Sequence, residues 1–113
     1  MNTLKIRRNM ENLLYKSAVD IEFRNRCLKE GKSVLEEELG TKLDSDIKVQ
    51  FKESGDEKDE IKLEGRDLMF LLPEFVGTIN KLERKDLERI TGGVSEYMDK
   101  NNESINNLIN LII

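Results

Sequence analysis

Two adjacent glycines, Gly92 and Gly93, follow a set of apolar residues whose spacing suggests recognition by another molecule. Leu82, Leu87 and Ile90 recur at nearly helical intervals, and charged residues fill the positions between them. Glycine has no side chain, so a pair of glycines gives the backbone wide conformational freedom and a small cross-section. The pattern predicts a helix that ends beside a slender site. A plain glycine cap at a helix C-terminus is the alternative, although a cap needs only one glycine.

The same five residues resemble the double-glycine leader motif of bacterial precursor peptides. The three apolar residues lie eleven, six and three positions before Gly93, and Asp86 stands where that family often has an acidic residue. The resemblance implies that a cysteine peptidase domain, usually fused to an ABC exporter, holds the apolar residues and cuts between Gly93 and Val94. A peptidase subsite narrowed to a tunnel admits residues without side chains and excludes larger ones.

The composition describes one small domain with few groups suited to catalysis. The chain has 113 residues, of which 37% are hydrophobic and 37% are charged, and it contains no tryptophan, so we expect a modest core. It has no histidine, which removes the commonest metal ligand and general base. Its one cysteine, Cys27, excludes an internal disulfide and is expected to be a small buried hydrophobic residue. We therefore expect no enzyme activity, no metal and no cofactor.

The charge is unevenly distributed, but its pattern does not favour nucleic acid. Residues 1–32 carry eight basic and four acidic side chains, while the whole chain has a net charge of -4. The basic residues are interleaved with acidic ones and aromatic residues are few, which is typical of a solvated helix face. No apolar run reaches the roughly eighteen residues of a membrane span. The single cysteine suits a reducing cytoplasm, and the resemblance to bacterial precursor peptides implies the bacterial cytoplasm, from which any export would use a dedicated route.

Periodicity along the chain predicts an α+β fold. The apolar spacing over 4–30 predicts one long helix or two in tandem, and a short helix over 34–39 is closed by glycine. Alternation over 47–51 and 61–63, and the apolar run over 68–72, predict three short strands. The predicted fold is N-terminal helices packed on a small three-stranded antiparallel sheet, then a short exposed leader helix and a disordered C-terminal tail.

A second resemblance covers roughly residues 15–73, which are similar to the N-terminal part of a nitrile hydratase α subunit. The segments that carry it are Asp20-Ile-Glu-Phe-Arg24, Leu35-Glu-Glu-Glu-Leu39-Gly40, Ile47-Lys-Val-Gln-Phe51 and Phe70-Leu-Leu-Pro73. The cysteine cluster that binds metal in that enzyme is absent here, so the resemblance implies the scaffold without the hydratase chemistry. A segment of this kind followed by a double-glycine helix resembles the long leaders of ribosomally made, post-translationally modified peptides, including the proteusin type.

The two resemblances together imply three parts. Residues 1–73 are the nitrile-hydratase-like leader domain, 74–93 are a linker and the double-glycine recognition helix, and 94–113 are the core peptide. The core peptide contains no cysteine, so thioether rings cannot form within it. Serines remain open to dehydration or oxazole formation, and the family also epimerises backbones and methylates asparagine. The candidate modification residues are Ser95, Ser104, Asn101, Asn102, Asn106, Asn107 and Asn110.

The function implied is that of a substrate. The leader, expected to be a monomer, recruits a peptide-modifying enzyme and a peptidase-containing ABC transporter, which cleaves after Gly93 and exports the core. Apolar residues late in the tail share a helical face, so the released core is a candidate membrane-active peptide. The alternative is a small intracellular adaptor domain whose C-terminal amphipathic helix docks on a protein partner. For the precursor, we expect Leu82, Leu87 and Ile90 to be mostly exposed.

Overall fold

The structure is a computed structural model that describes residues 2–53, 66–78 and 82–113. Its elements are α1 (Thr3–Val19), α2 (Ile21–Lys29), α3 (Gly31–Leu39), β1 (Val49–Glu53), β2 (Leu68–Leu72), α4 (Arg84–Lys100) and α5 (Asn102–Ile112). Helix α1 is central, because it packs against the other four helices and against β2. Strand β1 packs on α2 and α3, whereas β2 packs on α4 and α5. The C-terminal helices are therefore part of the same core as the N-terminal ones.

Local capping explains how the first three helices are divided. The Asn2 side chain accepts a hydrogen bond from the Lys5 N–H at 2.8 Å and begins α1. Asp20 has an extended backbone that ends α1, and its carboxylate accepts from the Phe23 N–H at 3.1 Å to begin α2. Of the two alternatives that the sequence left open, one long helix or two in tandem, the structure has two in tandem. Gly40, in the left-handed conformation with φ 71°, closes α3 as predicted.

The described residues form a sheet of two strands, and these run parallel. Phe51 lies opposite Phe70 in the register, and their rings stack with centroids 5.4 Å apart. The predicted three-stranded antiparallel sheet is wrong, because the two described strands pair in parallel. Residues 54–67 separate β1 from β2, which is long enough for the crossover that a parallel pair requires. The strand predicted over 61–63 lies outside the described residues.

The predicted short exposed leader helix and disordered tail are also wrong. Helix α4 continues through both glycines, and α5 follows it to Ile112. The reason is an apolar stripe that the rest of the fold covers, which stabilises the helices by removing apolar surface from water. Its buried members in the tail are Val94, Tyr97, Ile105 and Leu108.

The core joins residues from all three predicted parts of the chain. Ile6 and Leu13 of α1, Phe70 of β2, and Ile90 and Ile105 of the C-terminal helices are all at most 1% exposed. Loss of the C-terminal helices would therefore uncover apolar surface of α1 and β2. Within the described parts of the chain, no helix has both the length and the apolar character needed to cross a membrane.

Candidate functional site

The glycine pair lies in the middle of α4 rather than at its end. Gly92 is exposed and Gly93 is half-buried, and neither has a positive φ. A Cβ atom built at Gly92 meets no heavy atom within 4 Å, and one built at Gly93 meets Pro73 Cβ at 3.9 Å, an ordinary contact. The capping alternative is wrong, because the helix continues to Lys100. Neither backbone conformation nor space requires glycine at these two positions.

A cleft of about 680 Å³ opens beside the glycines. Its α4 wall includes the bare backbone of Gly92 and Gly93, and the segment that follows β2 forms the opposite wall. An ion pair joins these walls, with Arg89 Nη2 3.1 Å from Glu74 Oε1, and both side chains are more than half exposed. An exposed pair of this kind contributes about 0–1 kcal/mol, so it does not prevent the walls from separating.

Arg24 anchors the inner part of this cleft. Its guanidinium is almost fully buried and donates to the Pro73 carbonyl at 2.7 Å, the Ser17 carbonyl at 3.2 Å and Glu53 Oε1 at 3.1 Å. The donor groups of arginine suit several acceptors at once, so one side chain ties α1, β1 and the end of β2 together. No local sequence pattern points to this role of Arg24, because Glu53 and Pro73 lie 29 and 49 positions away.

The three apolar recognition residues differ in exposure. Leu87 is 42% exposed on the outer face of α4, Leu82 is half-buried against the core, and Ile90 is only 1% exposed. Of the three, only Leu87 is exposed as expected; Leu82 is partly covered, and the expectation is wrong for Ile90. A peptidase that holds all three side chains therefore needs the first half of α4 to detach from α1 and β2.

Asp86 has a structural task at the start of α4. Its carboxylate accepts a hydrogen bond from the Glu83 N–H at 3.0 Å, as part of a capping box. It is half-buried and lies 3.9 Å from the Arg89 guanidinium. These contacts give an acidic residue at this position a role in capping the helix. That role does not depend on recognition by a peptidase.

The bond between Gly93 and Val94 is helical, and the side chain that follows it is buried. Val94 is 5% exposed and belongs to the core. The candidate modification residues fall into two groups. Asn101 is 2% exposed and Ser104 is half-buried, and both are hydrogen-bonded to β2. The exposed ones are Ser95, Asn102, Asn106, Asn107 and Asn110.

Asn101 makes an unexpected pair of hydrogen bonds to the backbone of β2. Its Oδ1 accepts from the Leu71 N–H at 2.7 Å, and its Nδ2 donates to the Leu71 carbonyl at 2.9 Å. The signal was present in the spacing, because Asn101 falls between Tyr97 and Ile105 on the apolar stripe of the tail. A polar residue on such a stripe is expected to find a buried hydrogen-bond partner.

Cys27 is buried, as predicted, and desolvation by burial raises the pKa of its thiol to about 12. The thiol therefore stays protonated at neutral pH and is a poor nucleophile. Among the described residues, no cluster of three or more histidine, cysteine or acidic side chains is arranged to hold a metal ion.

Comparison of the chain with protein-family models, with curated proteins and with solved structures gives no significant match.

Proposed function

We propose that this chain is the precursor of a ribosomally made modified peptide or bacteriocin of the proteusin type. Residues 94–113 are the product, and the preceding residues are a monomeric leader that takes part in no catalysis. The leader recruits a peptide-modifying enzyme and a peptidase-containing ABC transporter in the bacterial cytoplasm. The transporter cleaves after Gly93 and exports the product. No nucleic acid takes part.

The observation that carries this proposal is a glycine pair that the fold does not need. Glycine in the interior of a helix costs about 0.5–1 kcal/mol relative to alanine. Gly92 and Gly93 both lie inside α4, with helical backbone and with space for a methyl group. A cost without a structural benefit is typical of functional sites. A peptidase tunnel that accepts only residues without side chains supplies the missing reason.

Leu87 provides an accessible contact for the peptidase. It lines a shallow surface depression with Arg84, Glu88 and Thr91 on the side of α4 that faces away from the core. Insertion of this side chain into an apolar pocket of the peptidase would contribute about 1–3 kcal/mol of binding free energy. Binding at Leu87 requires no unfolding, so it is suited to be the first contact.

The packed tail adds a step to the proposed pathway. The apolar face of the product lies against α1 and β2 before processing, so it must detach before the product can leave. That face includes Val94, Tyr97, Ile105 and Leu108. The same face becomes available to a lipid surface once the product is released.

Cleavage by the peptidase domain of the exporter encoded with this precursor tests the function. The purified full-length chain is incubated with that domain and the fragment masses are measured. We expect a single cut between Gly93 and Val94. A cut at another bond, or no cut in either the full chain or a peptide spanning residues 80–100, would exclude the proposal.

Gly92→Ala sharpens this test. The added methyl group should stabilise α4 by up to about 1 kcal/mol, which by itself slows opening no more than about 5-fold. We expect a loss of cleavage of at least about 100-fold, since one methyl group must enter a tunnel shaped for none. The same substitution in the 80–100 peptide is the control. An equal loss there shows that the tunnel, rather than helix stability, rejects alanine.

A second candidate, a small intracellular adaptor domain, is favoured by the packing of α5 into the core. In that function, the C-terminal helices are permanent structure and the exposed side of α4 docks on a protein partner. The cleavage experiment separates the two candidates, because an adaptor gives no defined cut after Gly93.

A further inference from the structure

The tail is attached to one edge of the sheet by two polar side chains. Strand β2 pairs with β1 through one edge, and Leu68 N–H donates to the Lys48 carbonyl there at 2.8 Å. Because the backbone groups of alternate residues face opposite edges, Met69 and Leu71 present theirs on the other edge. Asn101 occupies both groups of Leu71, and Ser104 Oγ donates to the Met69 carbonyl at 2.6 Å.

We propose that Asn101 and Ser104 form a tail latch that keeps residues 94–113 on the leader and thereby controls cleavage after Gly93. The Asn101 side chain supplies one acceptor and one donor, which is what a neighbouring strand would supply to Leu71. The part of this inference that concerns cleavage rests on the proposed function. The latch itself is a property of the folded chain and is measured without any peptidase.

The position of the latch explains how it controls the cut. Asn101 lies at the junction of α4 and α5, so it holds the C-terminal half of α4 in place. On the other side of the scissile bond, Leu87 is exposed and open to the peptidase while the latch is closed. A peptidase that needs an unwound backbone acts on the fraction of molecules in which this region is open, so the latch sets the cleavage rate.

The latch also determines which residues of the tail can be modified before the tail is released. Asn107 and Asn110 are exposed while the latch is closed, so an enzyme can reach them on the folded precursor. Asn101 and Ser104 are withheld, because each is hydrogen-bonded to β2. Modification at these two positions therefore requires the tail to be released first.

The decisive variant is Asn101→Asp, which keeps the size of the side chain and replaces the donor to the Leu71 carbonyl with a carboxylate oxygen. Asn107→Asp is the matched control, because it makes the same change on the exposed face of α5, the helix that Asn101 precedes. A buried polar group left unpaired weakens the docked state enough to change an equilibrium by about 10- to 100-fold. Backbone amide exchange of the full-length variants is measured by mass spectrometry at neutral pH.

We expect amides of residues 94–113 in Asn101→Asp to exchange about 10- to 100-fold faster than in the wild type, while β1 amides keep their protection. Asn107→Asp should match the wild type. Unchanged exchange of the tail in Asn101→Asp would overturn the latch. If β1 also loses protection in this variant, Ser104→Ala decides instead: the latch requires faster exchange in the tail with β1 still protected.

Cleavage of the same proteins by the exporter peptidase domain tests whether the latch controls the cleavage rate. We expect Asn101→Asp to be cut faster by a factor similar to its increase in exchange, and Asn107→Asp to be cut at the wild-type rate. Faster exchange without faster cleavage would overturn control by the latch. Absence of a cut after Gly93 in all proteins and in the 80–100 peptide would instead reject the proposed function, while the exchange result would still decide whether the tail is latched.

Discussion

Gly31 begins α3 directly against the ring of Phe51, and a Cβ atom at position 31 would lie 2.8 Å from Cδ2 of that ring. The same atom would lie 3.2 Å from the Val49 carbonyl oxygen. This close approach brings α3 onto β1, and a side chain at position 31 would force the two elements apart. The fold thus explains this glycine by packing, whereas Gly92 has no such explanation.

Gly31→Ala should destabilise the protein. The methyl group overlaps a packed ring and a backbone oxygen, and overpacking of this kind costs about 1–3 kcal/mol. Urea unfolding followed by circular dichroism measures the free energy of unfolding of the variant and the wild type. Equal stability of the two proteins would contradict the close contact between α3 and β1.

Gly92→Ala should have the opposite effect. Alanine fits the helical backbone there without a contact, so the free energy of unfolding should rise by about 0.5–1 kcal/mol. The measurement is the same urea titration, with Gly31→Ala as the opposing control. A decrease in stability would mean that the fold requires glycine at position 92, which would remove the main support for the proposed function.

Ile90→Ala and Leu87→Ala should separate stability from recognition. Ile90 is buried, so its truncation should cost about 2–5 kcal/mol of unfolding free energy. Leu87 is 42% exposed, and Leu28, at 38%, is its matched control outside the motif. Leu87→Ala and Leu28→Ala should each lose less than about 1.5 kcal/mol of unfolding free energy. Only Leu87→Ala should also weaken peptidase binding, as measured by calorimetry. Equal peptidase binding by both leucine variants would exclude Leu87 as a contact.

Arg24→Ala should destabilise the protein more than Glu53→Gln does. The arginine donates to two buried carbonyl groups, and hydrogen bonds involving a charged group contribute about 1.5–3 kcal/mol each. Glu53 is nearly half exposed, so its ion pair with Arg24 is screened by water. Glu53→Gln should therefore lower the free energy of unfolding by less than about 1 kcal/mol. Thermal unfolding of both variants gives the comparison. A larger effect of Glu53→Gln would contradict the anchoring role of the carbonyl contacts.

The burial of Cys27 should make stability fall at alkaline pH. The folded protein raises the pKa of the thiol from 9.0 to about 12, so the unfolded chain loses this proton at lower pH than the native one. The contribution of the buried, protonated thiol to the free energy of unfolding is complete below pH 9. It is lost as pH rises towards 12, at up to about 1.4 kcal/mol per pH unit. Cys27→Ala lacks this group, so the stability difference between wild type and variant should narrow or reverse between pH 8 and pH 10.5. A pH-independent difference would show that the thiol titrates normally.

Part of the candidate site was predictable from sequence, because it depends on residue type and spacing alone. The glycine pair and the apolar residues before it are read directly from the chain. Their exposure was not predictable, since α4, which carries the buried Ile90, packs on α1 and β2, and both are distant from it in sequence. The contact between Asn101 and Leu71 joins residues 30 positions apart, and no local pattern specifies such a pair.

Elements whose limits depend on neighbouring residues follow from local sequence. Asp20 divides α1 from α2, Gly40 ends α3, and the apolar run Leu68–Leu72 becomes β2, because capping and periodicity act within a few positions. The tertiary structure alone decided that β1 and β2 are parallel and that α4 continues through its glycines. Two helical glycines cost about 1–2 kcal/mol together. Burial of each large apolar side chain in the tail stabilises the helix by about 1.5–3 kcal/mol, so packing outweighs the local preference to end it.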